Sequence, residues 1–518
     1  MSVVSAIELE ERKKGKDLYS YQKGAINKIF KAFEDAPDDY HLLYQLPTGG
    51  GKTVIFSEIV RQYLKHHKKK VLVLTHRIEL SKQTSNMLTE FGVSNKVIDS
   101  KADLSDQNEY SCFVAMVETL NNRLNDNKLD ISDVGLVIID EAHYNSFTKI
   151  FKFFETSFLL GVTATPLSSN VKLPMKDNYD ELIVGETIES LIENEFLSKA
   201  ETYSYNVGLT SLEVGTNGDY TVKSSEDLYT NNDMLSKLLQ SYQEHSIKKK
   251  TLIFNNGINT SIHVYEAFKA AGIPIAHLDN TVSKKDRKMI LKWFKDTPHA
   301  VLTSVSILTT GFDEPTVETI ILNRATKSLG LYYQMIGRGS RILKNKNTFK
   351  IIDLGNNLHR FGPWGANLNW QKIFNSPSYY LDNLLSDEEL EGNFRYEMPE
   401  ELREQFAKSE DIYLDIKKTY ISTVSQGQSS KAVLEKSIVH HAKMCAENSE
   451  DVYDAYELAK KLGDDIDHRL DRYAKCISRS THNFMDWLRD DYRKKLRAHL
   501  RENFDTIYEG IHGHPPVD

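Results

Sequence analysis

A glycine-rich stretch, Gln45–Thr53 (QLPTGGGKT), constrains this chain more than any other feature. It follows the apolar run His41–Tyr44 and precedes the apolar-periodic run Val54–Val60, the strand–turn–helix context of a phosphate-binding loop. Glycines lack a Cβ and tolerate left-handed backbone angles, so successive N–H groups can converge on an anion at a helix start. The residues predicted to hold nucleotide phosphates are Thr48, Gly49, Gly50, Gly51, Lys52 and Thr53, with the Thr53 hydroxyl on Mg²⁺.

The loop departs from the general pattern at its first position, which is Leu46 rather than glycine. A glycine-rich turn that binds nothing is therefore the alternative. A second motif argues against that alternative, because the apolar strand Val137–Ile139 ends in two acids, Asp140 and Glu141. Asp140 is predicted to hold Mg²⁺ through water, and Glu141 to accept a proton from an attacking water. The other interpretation of these acids is a solvated pair in a loop.

Short apolar runs alternate with helical patterns in two successive parts of the chain. Val71–Leu74 and Leu136–Ile139 are continuously apolar, as expected for parallel strands that are covered on both faces. The pattern predicts two α/β domains with doubly wound parallel sheets, followed by a mostly helical C-terminal region. The predicted divisions are an N-terminal arm at 1–17, a first domain at 18–200, a polar connection at 201–236, a second domain at 237–360 and a helical accessory domain at 361–518, with a flexible linker at 422–431. The predicted strands are 41–44, 71–75, 111–116, 134–140 and 158–164 in the first domain, and 251–255, 276–278, 300–305, 319–322 and 350–354 in the second.

Composition excludes several classes of protein. A net charge of −8 argues against a wholesale basic nucleic-acid binder, although a local basic groove remains compatible with it. The three cysteines are far apart in sequence, which argues against a disulfide framework or a Cys₄ zinc site and favours a reducing compartment. Residues 1–17 are charged, and no apolar run is long enough to span a membrane. We therefore expect a soluble, cytoplasmic protein.

Two arginines three residues apart, Arg338 and Arg341, lie in the second predicted domain. Residues at this spacing share a helix face, so both guanidinium groups can point at one anion. A guanidinium can neutralise charge that develops during phosphoryl transfer. Because these arginines belong to the domain without the phosphate loop, we expect ATP to be sandwiched between the domains, so that ATP binding and hydrolysis close and open the cleft. The alternative is an exposed basic helix turn.

Four motifs in this order resemble those of the superfamily 2 helicases. QLPTGGGKT resembles motif I, DEAH at Asp140–His143 motif II, TAT at Thr163–Thr165 motif III, and QMIGRGSR at Gln334–Arg341 motif VI. THRIEL at 75–80 and SILTTGFDEP at 306–315 are similar to the helicase engines of type I and III restriction enzymes and to RadD-like helicases. The resemblance covers about residues 18–355 and implies two RecA-like domains that hydrolyse ATP.

The resemblance implies roles for further residues. Gln22, in a YQ element before motif I, would read the adenine, although the family's usual basic residue two positions before the tyrosine is Tyr19 here. His143, Thr163 and Thr165 would link hydrolysis to domain closure. The motif VI residues facing the γ-phosphate would be Gln334, Arg338 and Arg341, while Gly311 and Asp313 of motif V would complete the nucleotide site and couple it to nucleic acid.

Polar residues that follow predicted strands are candidates for contacts with phosphates and sugars, which carry no sequence readout. In the first domain these are His76, Arg77 and Thr119, the last in a stretch resembling motif Ib. In the second domain they are Asn255, Asn256, Thr303, Ser304, Thr309, Thr310 and Gly311. The alternative for each is ordinary loop polarity.

The motifs together predict an ATP- and Mg²⁺-dependent helicase or translocase. DNA is favoured over RNA by the restriction and repair resemblance, with repair, recombination or phage defence as possible settings. An RNA helicase and a nucleic-acid-stimulated ATPase without strand separation are the alternatives, because the fold would be the same. We expect the C-terminal region to bind substrate, a partner protein or both. Its basic run Arg493–Arg497 fits either a nucleic-acid contact or a salt-bridged exposed helix.

Overall fold

The computed structural model describes residues 18–512, apart from 35, 38, 100–101, 103–108, 127–132, 169, 171, 210, 306–307, 309–311, 313, 388–389, 391–397 and 478–481. The predicted arm at 1–17 lies outside the described residues. The chain divides into two compact units, residues 1–390 and 391–518, which are described separately.

The first unit contains two parallel sheets, which confirms the predicted fold class. Among the described residues the first sheet has seven strands in the order β3-β4-β2-β5-β6-β1-β7. These strands are β1 His41–Gln45, β2 Lys70–Thr75, β3 Asn95–Ile98, β4 Cys112–Met116, β5 Val134–Asp140, β6 Phe158–Thr163 and β7 Glu181–Val184. Their helices are α1 Ser20–Glu34, α2 Lys52–His66, α3 Ile78–Glu90, α4 Val117–Asn125 and α5 Ile188–Glu193, with 3₁₀ turns at Asn145–Phe153 and Met175–Asp177.

The central strand β5 explains why this sheet is covered on both sides. All seven of its residues are buried. Leu136 and Ile138 pack into the core on the α1 and α2 face, whereas Val137 and Ile139 pack into the core on the opposite face. Alternate residues of a strand point to opposite faces, so a strand that is apolar at every position needs a helical layer on each side.

The second sheet has the same parallel build. Its six described strands run in the order β10-β11-β9-β12-β13-β8. They are β8 Lys199–Ser204, β9 Thr251–Asn255, β10 Ile275–Leu278, β11 Val301–Val305, β12 Thr319–Asn323 and β13 Thr348–Asp353. The helices of this part are α6 Val222–Tyr229, α7 Asn232–His245, α8 Ile258–Ala270, α9 Lys284–Asp296, α10 Leu329–Ile336, α11 Asn357–Phe361, α12 Trp370–Asn375 and α13 Pro377–Asp382.

The structure corrects the predicted connection at 201–236. Lys199–Ser204 forms the edge strand β8 and pairs with β13 in the second sheet, so the chain has already crossed to the second sheet there. Tyr229, at the end of α6, is buried in the core on one face of the second sheet. Residues 361–390 also belong to the first unit rather than to the predicted accessory domain. The three strands that the sequence did not predict, β3, β7 and β8, all lie at sheet edges.

The second unit is helical, as predicted. Its described helices are α14 Glu400–Glu404, α15 Ile416–Ser425, α16 Lys431–Glu447, α17 Val452–Lys461, α18 Gly463–Cys476 and α19 His482–His512. The predicted linker at 422–431 is wrong in its first part, because α15 extends to Ser425. In none of the helices described here is the apolar stretch long enough to cross a membrane.

A buried polar network lies inside this helical unit. His441 is fully buried and hydrogen bonds to Asp465 (Nε2 to Oδ2, 2.6 Å), while the Tyr492 hydroxyl lies 2.9 Å from His441 Nδ1. Arg469 pairs with the same Asp465 oxygen at 2.7 Å. Burial lowers the pKa of His441 to about 4, and the Arg469 charge acts in the same direction. The imidazole is therefore neutral at physiological pH.

Candidate active site

The phosphate loop and the acid pair lie at the same edge of the first sheet. The register of the sheet pairs Gln45 of β1 with Thr163 of β6, and Asp140 of β5 with Val162 of β6. The loop after Gln45 and the acids that end β5 therefore flank the end of β6. This is the carboxyl edge at which parallel α/β sheets bind their ligands.

The loop backbone has the geometry of an anion cradle. Gly49 and Gly51 have positive φ angles, 93° and 87°, which disfavour any residue with a Cβ. Gly51 is the N-cap of α2, and within the described chain no side chain caps that helix end. The first-turn N–H groups are therefore available to an anion. Lys52 and Thr53 are the first two residues of α2.

Lys52 lies next to the acid pair. Its Nζ is 3.9 Å from Glu141 Oε1, and Lys52, Asp140 and Glu141 are all buried. Glu141 has a φ of 54°, an uncommon angle for a residue with a side chain that is often found at functional sites. Burial and the neighbouring Glu141 carboxylate raise the pKa of Asp140, against the effect of Lys52. Burial also opposes ionisation of Glu141, but Lys52, His143 and Arg338 outweigh it and lower the pKa of Glu141.

His143 joins the two domains. Its Nε2 lies 3.1 Å from Gln334 Nε2 of α10, and its Nδ1 lies 3.0 Å from Thr163 Oγ1 at the end of β6. Because the Gln334 amide nitrogen can only donate, His143 Nε2 accepts and Nδ1 carries the proton. The Thr163 hydroxyl in turn donates to Thr165 O at 3.0 Å. A continuous chain of hydrogen bonds thus runs from α10 in the second domain to the loop after β6 in the first.

Arg338 and Arg341 follow α10 and face the first domain. A Cβ at Gly49 would lie 3.2 Å from Arg341 Nη1, and a Cβ at Gly337 would lie 2.5 Å from Thr48 Cγ2. Arg338 Nη1 donates to Phe312 O at 2.7 Å, and its charge acts on Glu141. One arginine therefore lies beside the phosphate loop and the other near the acid pair.

Gln22 lies above the phosphate loop, where the resemblance implied an adenine contact. A Cβ at Gly51 would lie 2.6 Å from its Nε2, and the Tyr21 hydroxyl donates to Gly50 O at 2.7 Å. Burial raises the pKa of Tyr21 to about 12, so this hydroxyl remains a donor. The ring of Phe196 packs against Tyr19 and Tyr21, with centroids 4.4 Å and 5.1 Å apart.

The structure corrects two predicted nucleic-acid contacts in the second domain. Asn255 and Thr303 are fully buried, and Asn255 Nδ2 donates to Thr303 Oγ1 at 2.8 Å. Asn323 donates to Asn255 Oδ1 at 2.8 Å, so the amide ties the ends of β9, β11 and β12 together. Asn256 is half-buried, and its Nδ2 donates to Ser225 Oγ at 2.6 Å. Asn255 and Thr303 are therefore buried side chains that satisfy each other rather than surface groups.

The predicted contacts in the first domain fall into different environments. His76 is half-buried against Tyr144, with ring centroids 4.2 Å apart, and burial lowers the pKa of His76 to about 4. A neutral, covered imidazole offers no charge to a phosphate, so His76 is better placed to support the acid loop than to hold nucleic acid. Arg77 lines a cavity of about 650 Å³ between the two domains. Thr119 is half-buried at the start of α4. Thr310, Gly311 and Asp313 lie outside the described residues.

Sequence analysis missed several residues around these sites. Lys327 lines the same cavity as Arg77 but comes from the second domain, two residues before the Leu329 start of α10. The sequence feature that could have identified Lys327 is its place as a basic residue shortly after the apolar strand β12. Lys346 donates to the carbonyls of Gly339 and Arg341, each at 2.6 Å, and so fixes the backbone that carries Arg341. No local pattern distinguishes Lys346 from a surface lysine.

Two family models match the chain. Residues 15–168 match the model described as type III restriction enzyme, res subunit, and residues 230–343 match the helicase conserved C-terminal domain. The chain is 30% identical over 336 residues to a 51.5 kDa protein of a Lactococcus phage, covering 64% of this chain and 69% of the phage protein. It is also 30% identical over 357 residues to IRC3 of Saccharomyces cerevisiae, named as a candidate ATP-dependent helicase, covering 65% of this chain and 51% of IRC3.

Restriction enzymes are also among the similar proteins. The chain is 25% identical over 398 residues to the type I restriction enzyme EcoAI endonuclease subunit of Escherichia coli, covering 65% of this chain and 46% of that subunit. It thus spans about half the length of IRC3 and of the EcoAI subunit. The fold is similar to the fragment structure of a candidate type I restriction enzyme HsdR subunit from Vibrio vulnificus, with a TM-score of 0.52 and 22% identity over 66% of this chain and 65% of that one. The chain belongs to the ATP-hydrolysing helicases of superfamily 2, close to the family of restriction-enzyme Res subunits.

Proposed function

We propose that the chain is a DNA translocase that hydrolyses one ATP between its two parallel-sheet domains. The observation that carries this proposal is the meeting of Arg341 with Gly49, together with the hydrogen bond between Gln334 and His143. Both contacts join the domain with the phosphate loop to the domain without it. Such a site is complete only when the domains are closed.

The residues around the phosphate loop have different roles in ATP hydrolysis. Lys52 and the first-turn N–H groups of α2 hold the β- and γ-phosphates. Glu141, ionised and with its Oε2 free of hydrogen bonds within the described residues, orients the attacking water and takes its proton. Arg338 and Arg341 neutralise the charge that develops on the transferred phosphoryl group, an effect worth about 10³–10⁵ in rate for comparable arginines.

Thr53 and Asp140 would hold Mg²⁺ with the nucleotide. A hydroxyl and a carboxylate are the hard oxygen donors that this ion prefers, and the Asp140 carboxylate is buried next to the charge of Lys52. Bound Mg²⁺ supplies charge neutralisation across the phosphates. Gln22 and the Tyr21 hydroxyl support the loop on the side where the base would lie.

Domain closure couples hydrolysis to movement. Gln334 and His143 are both buried, so each loses its partner when the domains separate. In the closed state, either side chain without the other would be an unsatisfied buried group at a cost of about 1–3 kcal/mol, so closure depends on the pair being intact. The hydrogen-bond chain from His143 through Thr163 transmits the position of α10 to the loop after β6.

Nucleic acid would contact both domains around the cavity that Arg77 and Lys327 line. The two basic side chains come from different domains, so a change in closure changes their separation. Thr119 and motif V, with Thr310, are proposed to extend this contact along the backbone. Backbone contacts of this type carry a motor along a strand without reading sequence. DNA is favoured because the motifs resemble those of restriction and repair helicases, and one relative is named a type I restriction enzyme endonuclease subunit.

The test compares ATP turnover with single-stranded DNA, duplex DNA, forked DNA and RNA, next to a triplex-displacement assay for translocation. Lys52→Ala is the inactive control, and Lys65→Ala, farther along the same helix, is the matched one. We expect DNA to stimulate ATP turnover and ATP to drive displacement in the wild type and in Lys65→Ala.

Each other outcome has a distinct meaning. If only RNA stimulates ATP turnover, the substrate is RNA rather than DNA. Stimulation by DNA without translocation or strand separation would make the chain a nucleic-acid-stimulated ATPase switch. Turnover by Lys52→Ala at the wild-type rate would remove the active-site assignment.

A further inference from the structure

We propose that the outer face of α19 in the helical unit is a second binding surface for single-stranded nucleic acid. Its cationic face consists of Arg493, Lys494, Arg497 and Arg501, all exposed. This inference rests on the proposed function only in that nucleic acid is the substrate. It concerns the second unit, where none of the residues of the candidate active site lies.

The charge on this helix is concentrated. The nine residues 493–501 (RKKLRAHLR) contain five arginines and lysines and no acid, in a chain whose net charge is −8. The opposite side of the helix is apolar and buried, with Leu488, Tyr492, Leu496 and Leu500 in the core of the unit. Packing therefore holds the basic side chains outward at regular spacing.

The acids near this run pair with residues other than Lys494 and Arg497. Asp491 pairs with Lys495 at 2.7 Å, and Glu502 approaches His499 at 3.5 Å. Within the described chain no carboxylate is within ion-pair distance of Lys494 or Arg497. The salt-bridged helix that the sequence also allowed therefore accounts for Lys495 and His499 but not for Lys494 and Arg497.

An aromatic platform lies on the same helix. Trp487 is 55% exposed, and its ring stacks on that of Phe484 with centroids 6.0 Å apart and an interplanar angle of 27°. Trp487 lies seven residues, about two turns, before Lys494, so the two share a face of the helix. Asp486, next to Trp487 in sequence, is engaged by Arg489 at 3.0 Å, and Asp490 is exposed.

The cationic face and the exposed tryptophan together indicate the kind of ligand that this surface binds. A row of cations can bind successive phosphates of a nucleic-acid backbone. An exposed indole can stack on a flat ring of the ligand, provided that this ring is not already stacked on another. Unpaired bases provide such rings, whereas duplex DNA hides them and an acidic protein surface lacks them. Single-stranded nucleic acid is therefore the ligand that satisfies both features.

The experiment measures binding of the full-length chain to a fluorescein-labelled oligothymidylate by anisotropy over a range of salt concentrations. The test variant is Lys494→Glu with Arg497→Glu. The matched control is Lys443→Glu with Lys460→Glu, an equal charge change at exposed lysines of α16 and α17 in the same unit. Circular dichroism checks that both variants are folded, and basal ATP turnover without nucleic acid should be unchanged in both.

We expect the test variant to bind about tenfold or more weakly. The slope of the logarithm of the binding constant against the logarithm of the salt concentration should fall in magnitude by about 1.4, because two phosphate contacts at about 0.7 each are lost. The control should change affinity by less than about twofold. Trp487→Ala should weaken binding about fivefold or more through lost stacking, and Trp487→Phe should restore most of it.

The outcomes separate this inference from the proposed function. Equal binding by the test and control variants would overturn the inference, even if DNA still stimulates wild-type ATP turnover. The inference would also be overturned if the test variant kept its affinity for the oligothymidylate but lost affinity for an acidic protein or for duplex DNA. Absence of stimulation in the wild type would overturn the proposed function, while the salt slopes would still report on α19.

Discussion

Gln334→Met isolates the contact on which domain closure depends. Methionine keeps the length and apolar stem of glutamine but cannot donate the 3.1 Å hydrogen bond to His143 Nε2. Both side chains are buried, at 4% and 5% exposure, so the variant leaves the His143 acceptor unsatisfied in the closed state. This costs about 1–3 kcal/mol, which the open state does not incur.

The expected result follows from that difference. The closed population should fall by about 5- to 150-fold relative to the open one, and kcat should fall by a similar factor where closure limits turnover. ATP affinity should change little, because the phosphate loop lies in the other domain. The assay is DNA-stimulated ATP turnover, next to equilibrium binding of a fluorescent ATP analogue.

Met335→Leu is the matched control, since Met335 is buried in the second domain at the next position of α10. A His143→Ala background provides a further check, because there Gln334→Met should have little additional effect. Wild-type kcat in Gln334→Met, or full additivity of the two losses, would refute the reasoning.

Three further predictions follow from single contacts. Gly337→Ala places a Cβ 2.5 Å from Thr48 Cγ2, so the gap between the domains must widen, and kcat should fall about tenfold in an ATP turnover assay. Tyr21→Phe removes the donor to Gly50 O, and the Kd for ATP, measured by fluorescence titration, should rise about 2- to 10-fold. The pKa of His441 is about 4 in the folded chain but 6.5 when unperturbed, so the unfolded state binds more protons between these values. Stability of the helical unit should therefore fall as the pH drops from 6.5 towards 4, seen as lower hydrogen-exchange protection factors in α16 after correction for the intrinsic exchange rate, and unchanged protection factors across that range would contradict this.

The local parts of the site were predictable because each is encoded in one short stretch. The strand, glycine turn and helix start around Lys52 need no distant information, and neither does the strand that ends in Asp140. The interdomain contacts needed the resemblance, since nothing local indicates that Gln334 would meet a histidine 191 residues away.

The failures have physical causes. Polar residues after a strand look the same whether they face a ligand or satisfy one another, and Asn255 and Thr303 do the latter. The edge strand β8, KAETYS, is only half-covered, so its mixed composition hid a strand. Phe196 and Lys346 act through chain segments that come together only after folding, and sequence spacing does not reveal them.

Arg341→Ala tests the central claim, that one ATP is clasped between the phosphate loop and the arginines of the second domain. Single-turnover hydrolysis with saturating DNA should fall about 10³-fold or more, while the Kd for ATP changes by less than tenfold. Arg341→Lys should recover only part of the rate, because an ammonium cannot reproduce the planar guanidinium contact. Hydrolysis at the wild-type rate in Arg341→Ala would contradict the account.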